Sequence, residues 1–265
     1  MDYIRLGTAG LKVSRICLGT NMLGAYVNEE DGVRVIDTFL DSGGNFIDTA
    51  DMYAQTRSEQ VIGKALRKRR HEAVIATKVG APMGDGPNDK GNSRSRIISS
   101  VDQSLKRLGT DYIDLYILHV WDPETPLEES LRAMDDLVRH GKIRYVGVSQ
   151  FNSSQVMKSL WIADQLGLDP IRSVQIQYSF LEREPERELL PLCEELGLIV
   201  TPFWVLRAGM FSGRYEEGKS PPSDSRFGQR PDAAQRYMNE QNFAALDRIQ
   251  KLSADTGHSI ASLTI

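Results

Sequence analysis

The sequence has little of what marks a secreted, membrane-spanning or disulfide-rich protein. Its 265 residues include two cysteines, Cys17 and Cys193, in apolar runs far apart in the chain, which we interpret as buried thiols in a reducing compartment. No stretch approaches the roughly 20 consecutive apolar residues that a membrane helix needs. The N-terminus also has no basic segment followed by an apolar core. We therefore expect a cytoplasmic protein without a signal peptide.

A large excess of charge of one sign is also missing. The 36 acidic and 32 basic residues leave a formal net charge of −4, which gives no reason to expect a polyanionic partner. The one dense basic run, Arg67–Arg70, ends a helix predicted over Ser58–Arg70, where positive charge complements the helix dipole. We expect neither nucleic acid nor a membrane as a partner, and we predict no metal site. The oligomeric state stays open.

Short apolar runs alternate with amphipathic segments of helical period from residue 28 onward. Near-continuous apolar strands separated by helices are typical of a parallel sheet covered by helices. Seven such strands are predicted, at Arg15–Leu18, Asn45–Thr49, Ala73–Lys78, Tyr112–His119, Ile143–Ser149, Ser173–Gln177 and Leu198–Pro202. Seven regular strand–helix units fit an α/β fold of the (β/α)8 TIM-barrel type better than a doubly wound sheet. Before them, Tyr3–Leu6 and Lys12–Val13 predict a separate β-hairpin, all within one domain over residues 1–265.

The C-terminal part of the chain is expected to differ from a complete barrel. Phe211–Glu240 is rich in Gly, Pro, Ser, Asp and Arg, which predicts a long irregular insertion of the kind that is often functional. Gln241–Thr256 then looks like the seventh barrel helix, and Ser259–Ile265 stops before an eighth strand. Because seven strands would leave two unpaired edges, we expect the chain as given to lack the eighth strand and the final helices.

Four ionisable side chains follow adjacent strands at the end where barrel enzymes carry their catalytic residues. Asp48 ends the second predicted strand, Tyr53 lies five residues later, Lys78 ends the third strand and His119 ends the fourth. Any one of them could be a cap, a rim aromatic or a structural residue. Their occurrence together at one end of three neighbouring strands predicts a single site.

The four residue types also form a chemical unit. Tyrosine has an unperturbed pKa of about 10, and a neighbouring lysine ammonium lowers that pKa while an aspartate holds the lysine in place. Histidine can hydrogen-bond a carbonyl oxygen on which charge develops. These four groups are suited to the reduction of a ketone or aldehyde. Because side chains supply no hydride, a reduced nicotinamide is implied as its source.

Five runs of sequence resemble the aldo-keto reductase family, in particular its bacterial members related to potassium-channel β subunits. These runs are Gly44–Tyr53, Ser58–Gly63, Ala76–Lys78, Asp111–His119 and Gly141–Ser149. The resemblance covers essentially the whole chain. It implies a catalytic tetrad of Asp48, Tyr53, Lys78 and His119 with Tyr53 as general acid. It also implies an extended NADP(H) at the C-terminal mouth of the barrel.

That binding mode agrees with the lack of a Gly-x-Gly-x-x-Gly motif, since the nearest approach, at Gly84 and Gly86, has Asp89 in the third position. By resemblance, the residues around the nicotinamide and along the pocket are Gly19, Thr20, Asn21, Asp48, Ser149, Gln150, Gln175 and Phe203. Those assigned by resemblance to the pyrophosphate and adenosine phosphate are Trp204, Val205, Leu206, Arg214 and Arg226. Ordinary loop solubility is the alternative explanation for the two arginines.

The chain departs from the family pattern in three places. Gln150 stands where the family usually has Asn, and Phe203–Leu206 replaces a Tyr-Ser-Pro-Leu pattern. The family's final Gly- and Arg-containing segment, which helps to bind the 2′-phosphate, is not found before Ile265. The preference for NADP over NAD is therefore supported here by Arg214 and Arg226 alone.

The substrate is the least determined feature. Met22, Tyr26, Trp121 and Phe151 follow strand ends and could line an apolar cleft beside Tyr53 and His119, or could be structural covers of the barrel mouth. We expect a small aldehyde, ketone or sugar-like carbonyl compound. Two alternatives stay open: a nicotinamide-binding regulatory protein like the channel β subunits, and an aldolase-like barrel with Lys78 as a Schiff-base lysine.

Overall fold

The N-terminal hairpin predicted from the sequence is present in the computed structural model, which describes residues 1–265. Strand β1 (Tyr3–Arg5) pairs antiparallel with β2 (Lys12–Ser14). The residues of β1 are exposed, whereas Leu6, which follows β1, and Val13 of β2 are fully buried in a hydrophobic core. The hairpin is a two-stranded sheet separate from the main sheet.

The main sheet has seven strands, which the sequence predicted to within one or two residues at most ends. They are β3 (Cys17–Gly19), β4 (Phe46–Asp48), β5 (Val74–Val79), β6 (Ile113–Leu118), β7 (Ile143–Ser149), β8 (Ile171–Gln177) and β9 (Ile199–Phe203). They lie side by side in chain order, and the registers from β3 to β8 are parallel. A doubly wound sheet would reverse its strand order at one point. The chain-order sheet confirms the (β/α)8-type fold.

Helices separate the strands, and several of them begin or end at a recognisable cap. They are α1 (Glu29–Asp41), α2 (Arg57–Ala65), α3 (Arg94–Leu108), α4 (Leu127–Arg139), α5 (Ser153–Leu166) and α6 (Leu189–Glu195). Asn152 and Gln155 form a capping box at the start of α5. Gly109 ends α3 in the left-handed conformation, as the sequence predicted.

The predicted end of α2 was wrong. The helix stops at Ala65 and is followed by two short 3₁₀ turns, Leu66–Lys68 and Arg70–Glu72. Within this basic run, Arg69 pairs with Asp37, Asp41 and Glu72, and Arg70 pairs with the largely buried Asp114. Part of the run therefore has tertiary ion-pair partners instead of forming only a solvated helix end.

The chain divides into two compact units by its internal contacts, and the single domain over residues 1–265 stays a prediction. The first comprises Met1–Ile176 and Glu188–Thr201, and the second comprises Gln177–Arg187 and Pro202–Ile265. The first unit has its core on the strands, where Phe46, Ala76 and Leu115 are buried. The second has a separate core rich in aromatic residues.

The stretch predicted as irregular contains local structure in the second unit. A 3₁₀ segment over Arg207–Ser212 is followed by α7 (Arg226–Gln229), α8 (Pro231–Tyr237), α9 (Glu240–Thr256) and α10 (Ile260–Thr264). Tyr215, Phe227 and Tyr237 stack in its core, with successive ring centroids 4.5 and 6.1 Å apart. Their spacing has no helical or strand period, so the sequence did not reveal them. No strand follows β9, as expected, and no helix has both the length and the apolar character that crossing a membrane requires.

Gly63 sets how closely α2 approaches α3. A Cβ atom on this residue would lie 2.5 Å from the carbonyl oxygen of Arg107 and 2.8 Å from that of Leu108, and backbone atoms cannot turn aside. We expect Gly63→Ala to lower the free energy of unfolding by about 1–3 kcal/mol, although alanine favours a helix more than glycine does. Denaturant unfolding measures this effect. The control is Gly10→Ala, whose Cβ would meet nothing within 4 Å; equal stability of the two variants would contradict the close packing.

Candidate active site

Lys78 is the centre of the candidate site. Its side chain is completely buried, and its Nζ donates to Asp48 Oδ2 at 2.7 Å, to the carbonyl oxygen of Thr49 at 2.6 Å and to Tyr53 Oη at 3.2 Å. The ammonium also lies 4.7 Å from the centroid of the Tyr53 ring. Three of the four predicted residues therefore meet around one buried cation.

The strand registers explain this meeting. Asp48, the last residue of β4, lies opposite Ala76 in the parallel pair with β5, so Asp48 and Lys78 share the C-terminal edge of the sheet. The chain then turns sharply, and the Tyr53 amide donates to the carbonyl oxygen of Ala50. The next three residues, 54 to 56, all have positive φ, a conformation that non-glycine residues adopt uncommonly. This turn brings Tyr53 back over the strand ends.

His119 is the fourth member of the group. Its backbone amide continues the sheet by donating to the carbonyl oxygen of Val79, next to Lys78 in β5. Its ring packs edge-on against Tyr53, with the centroids 5.9 Å apart and the planes at 78°. The structure thus brings all four predicted residues together.

Burial controls the protonation of Tyr53. Removal from water raises the pKa of Tyr53 above 10.0, and the lowering effect of the Lys78 ammonium is smaller than this rise. The lysine acts in the direction that the sequence suggested, but the net direction is the opposite one. At neutral pH the phenol therefore keeps its proton, as a proton donor must.

The charge of Lys78 is maintained by its neighbours. Burial alone would lower the pKa of Lys78, but Asp48 and Tyr53 raise it above 10.5 overall. Asp48 is itself held from the other side, because the Gln175 side-chain amide donates to Asp48 Oδ1 at 3.0 Å. The buried ammonium therefore has a carboxylate partner with both oxygens engaged, the condition under which a buried ion pair is tolerated.

His119 is neutral in this environment. Burial, followed by the positive charge of Lys78, lowers the pKa of His119 to about 3. A neutral imidazole carries one N–H, and the buried Nδ1 of His119 has no hydrogen-bond partner in the protein. The ring can therefore donate a hydrogen bond near Tyr53, but it does not hold a second proton at neutral pH.

Three polar residues that the family resemblance predicted for the nicotinamide lie next to this group of four. Ser149 lies opposite Gln175 in the pair of β7 and β8, and the Gln150 amide donates to the carbonyl oxygen of Gln175 at 2.9 Å. The Gln150 side chain donates to the backbone oxygen of His119 at 3.3 Å. Gln150 has φ = 58°, a conformation that asparagine adopts more readily than glutamine. These three residues border Asp48 and His119.

The loop after β3 contributes a network that the sequence did not reveal. The completely buried Thr20 donates its hydroxyl to the carbonyl oxygen of Asp48 at 2.8 Å and lies 2.8 Å from Ser58 Oγ. Ser58 Oγ also lies 2.8 Å from Thr49 Oγ1. The hydroxyl of Thr20 therefore joins the β3 loop to the Tyr53 loop, whereas Gly19 and Asn21 are exposed.

The predicted substrate residues form two groups. Trp121 and Phe151 pack edge to face with centroids 5.2 Å apart, and Phe151 is buried beneath the half-buried Trp121. Met22 and Tyr26 belong to the loop after β3, where the Met22 carbonyl accepts the Tyr26 amide. Tyr26 is 41% exposed, so it can meet a molecule from solvent.

The second unit carries the remaining predicted cofactor residues. Phe203 ends β9 and meets Trp204 edge-on at 6.5 Å. Trp204 and Leu206 pack against the aromatic core, and Val205 is half-buried. Arg214 Nη2 donates to both oxygens of the exposed Asp224, at 2.9 and 2.8 Å. Arg226 opens α7.

Comparison with known proteins identifies a family. Residues 15–265 match the model of the Aldo/keto reductase family. The chain is 34% identical over 277 residues to a protein of Oryza sativa subsp. japonica named probable voltage-gated potassium channel subunit beta, covering 100% of this chain and 82% of that protein. It is 33% identical over 296 residues to versiconal hemiacetal acetate reductase of Aspergillus parasiticus, covering 100% and 84%. A protein of Bacillus subtilis named uncharacterized oxidoreductase YrpG is 39% identical over 225 residues, covering 81% and 69%.

Proposed function

This chain belongs to the aldo/keto reductase family, and from that premise we propose that it reduces an aldehyde or ketone to an alcohol with NADPH. The observation that carries the proposal is the contact of the buried Lys78 ammonium with both Asp48 and Tyr53. The buried phenol of Tyr53 keeps its proton and lies next to a cation that can stabilise the phenolate left after proton donation. This arrangement is suited to protonation of an oxygen.

The donor set beside the tetrad fits a nicotinamide. Ser149, Gln150 and Gln175 offer a hydroxyl and two amides next to Asp48 and His119, and amides pair with the carboxamide of the ring. A reduced nicotinamide, when bound, supplies a hydride to the carbonyl carbon. In the second unit, Arg214 and Arg226 are the residues we propose for the phosphates. We assign Arg214 to the adenosine phosphate that only NADPH carries, where it would exchange Asp224 for that phosphate because its guanidinium binds either anion in a bidentate manner.

The chain's own residues then account for the proton. Tyr53 Oη would give its proton to the carbonyl oxygen, so that the phenol O–H bond and the carbonyl π bond break and the alcohol O–H bond forms. The hydride that completes the new C–H bond would come from a reduced nicotinamide. Lys78 stabilises the resulting phenolate, and Asp48 holds Lys78. Neutral His119 donates a hydrogen bond to the same oxygen and orients it. Trp121, with Tyr26 and Met22, is proposed to contact the apolar part of the substrate.

A titration followed by a turnover assay tests the proposal. The protein is titrated with NADPH and NADH, and then NADPH oxidation is measured over a panel of aromatic, aliphatic and sugar-like aldehydes and ketones. We expect tighter binding of NADPH and oxidation with at least one carbonyl class. NADPH binding without turnover on any member would instead favour a regulatory protein, which the name of the rice relative makes the relevant alternative.

Two arginine variants control the cofactor assignment. Arg214→Gln should weaken NADPH binding by roughly tenfold, about 1.4 kcal/mol, and leave NADH binding nearly unchanged, because only NADPH carries the extra phosphate. Arg230→Gln is the matched control, since Arg230 also forms a two-pronged pair with an aspartate of the second unit, Asp232. Equal effects of the two variants would remove Arg214 from the proposed phosphate site.

A further inference from the structure

Two buried ion pairs connect α3 to the segment that carries the candidate catalytic residues. Arg96 Nη2 donates to Asp51 Oδ2 at 3.1 Å, and Arg107 Nε donates to Glu59 Oε2 at 2.6 Å. Asp51 is 1% exposed and Glu59 is completely buried. Nothing in the proposed chemistry uses these four charged side chains directly, so their burial requires another explanation.

Both pairs reach the strand segment around Lys78. The Asp51 amide donates to the carbonyl oxygen of Lys78 at 3.2 Å. Glu59 Oε1 accepts the hydroxyl of Thr77, the residue before Lys78, at 2.6 Å. Asp51 also precedes Tyr53 by two residues. Asp51 is therefore close in sequence to Tyr53, hydrogen-bonded to the backbone of Lys78, and ion-paired to Arg96 of α3, which lies outside the site.

The loop that follows Asp51 needs external support. Ala54, Gln55 and Thr56 have φ values of 50°, 54° and 75°, and non-glycine residues stay in this strained region only where the surrounding structure holds them there. Ser58 holds the far end of the loop through its bonds to Thr20. At the near end, the buried anchor is Asp51.

We propose that the Asp51–Arg96 ion pair is a positioning device that holds the Tyr53 loop against Lys78 so that the phenol and the ammonium stay in contact. Asp51 is thus a positioning residue and not a catalytic one. The inference rests on the proposed function for the role of Tyr53. The placement of the loop itself can be measured without turnover.

Stabilisation of the fold does not explain why Asp51 is ionised. Burial raises the pKa of Asp51 to about 6; Arg96 and Arg107 on α3 oppose this rise, and Glu59 on α2 adds to it. The buried Tyr116 of β6 also faces this group. Between about pH 4 and pH 6 the folded state therefore binds more protons than the unfolded chain, and stability falls as the pH rises through that window.

Three polar atoms of this cluster have no hydrogen-bond partner in the protein: Asp51 Oδ1, Arg96 Nε and Tyr116 Oη. Such atoms cost free energy when buried. The Asp51 carboxylate is ionised at neutral pH although it is buried and has an incomplete set of hydrogen-bond partners. We therefore attribute its presence to the position that it imposes on the loop, and not to a contribution to stability.

The test is Asp51→Asn, which keeps the shape and removes the charge. At pH 7.5 we expect kcat to fall by about tenfold to a hundredfold, since a displacement of about 1 Å at a reacting group can cost a hundredfold. The Kd for NADPH should change less than about twofold, because Ser149, Gln150 and Gln175, which we propose for the nicotinamide, are unchanged. The melting temperature should be unchanged or higher.

The pH profile separates this role from a purely structural one. In the wild-type protein kcat/KM should fall as the pH drops through about 6, because protonated Asp51 loses its charge-assisted bond to Arg96. This limb should be absent in Asp51→Asn. His119 does not account for it, since the pKa of His119 is about 3. A wild-type profile that is flat between pH 5 and 7, or an unchanged limb in the variant, overturns the inference.

A second buried aspartate supplies the control. Asp114 pairs with Arg70 at 2.7 Å and accepts the Ile75 amide near the opposite end of β5. Asp114→Asn should lower stability without changing the pH profile. Hydrogen exchange of residues 52–57 should accelerate in Asp51→Asn and not in Asp114→Asn, even if no carbonyl on the panel is reduced.

If Asp51→Asn does not fold, hydrogen exchange of the wild-type protein at two pH values tests the inference instead. The protection factors of residues 52–57 should then drop between pH 7.5 and pH 5 relative to those of β6. Constant protection over that range contradicts the proposed support of the loop by the ion pair.

Discussion

Tyr53→Phe should reduce turnover of every carbonyl substrate by about a thousandfold, within the range of 10²–10⁴ that a positioned general acid contributes. The variant removes only the hydroxyl that contacts Lys78 Nζ at 3.2 Å. The ring that packs against His119 stays in place. We therefore expect nearly wild-type binding of NADPH and a nearly unchanged free energy of unfolding, measured by fluorescence titration and by denaturant unfolding.

A tyrosine far from the site controls for loss of a hydroxyl. Tyr3 donates to the carbonyl oxygen of Gly43 on the surface, so Tyr3→Phe should leave kcat unchanged. Since burial raises the pKa of Tyr53, the wild-type rate of reduction should also show no loss of the acid between pH 7 and pH 9. Wild-type turnover by Tyr53→Phe would show that another group donates the proton.

Lys78→Met should have the largest effect on stability. The lysine is completely buried, and its removal leaves the Asp48 carboxylate without its cation, although Gln175 still donates to it. Removal of one partner of a buried ion pair costs about 3–5 kcal/mol. We expect a loss of that size in the free energy of unfolding, together with a loss of turnover, because the phenolate of Tyr53 is no longer stabilised.

Two further variants test the cause of this loss. Lys142→Met removes a cation from the pair with Asp102, whose side chain is 46% exposed, and should change stability by less than about 1 kcal/mol. Asp48→Asn combined with Lys78→Met should be less destabilised than the sum of the single variants, since the uncompensated charge is gone. Additive losses would mean that the two charges do not interact.

The fold was predictable because its signals are local. Strands β4 to β7 are mostly apolar and mostly buried, and polar or glycine residues follow them. Burial of both faces in a covered parallel sheet favours that pattern. Gly109 and Asn28 mark helix ends for equally local reasons. The end of α2 was predicted wrongly because Arg69 and Arg70 pair with Asp41 and Asp114, which are distant in sequence. The helices within 211–240 were missed because the aromatic residues that pack there, such as Phe227 and Tyr237, follow no regular period.

The sequence alone determined that Asp48, Lys78 and His119 stand at neighbouring strand ends, because the period and order of parallel strands place every C-terminal end on one edge of the sheet. Only the tertiary structure decided their protonation. Burial keeps the proton on Tyr53 and the charge off His119, and burial is the sum of contacts from many segments. The same holds for Asp51 and Arg96, 45 residues apart: two charges so distant in the chain become partners only once α3 packs beside β5.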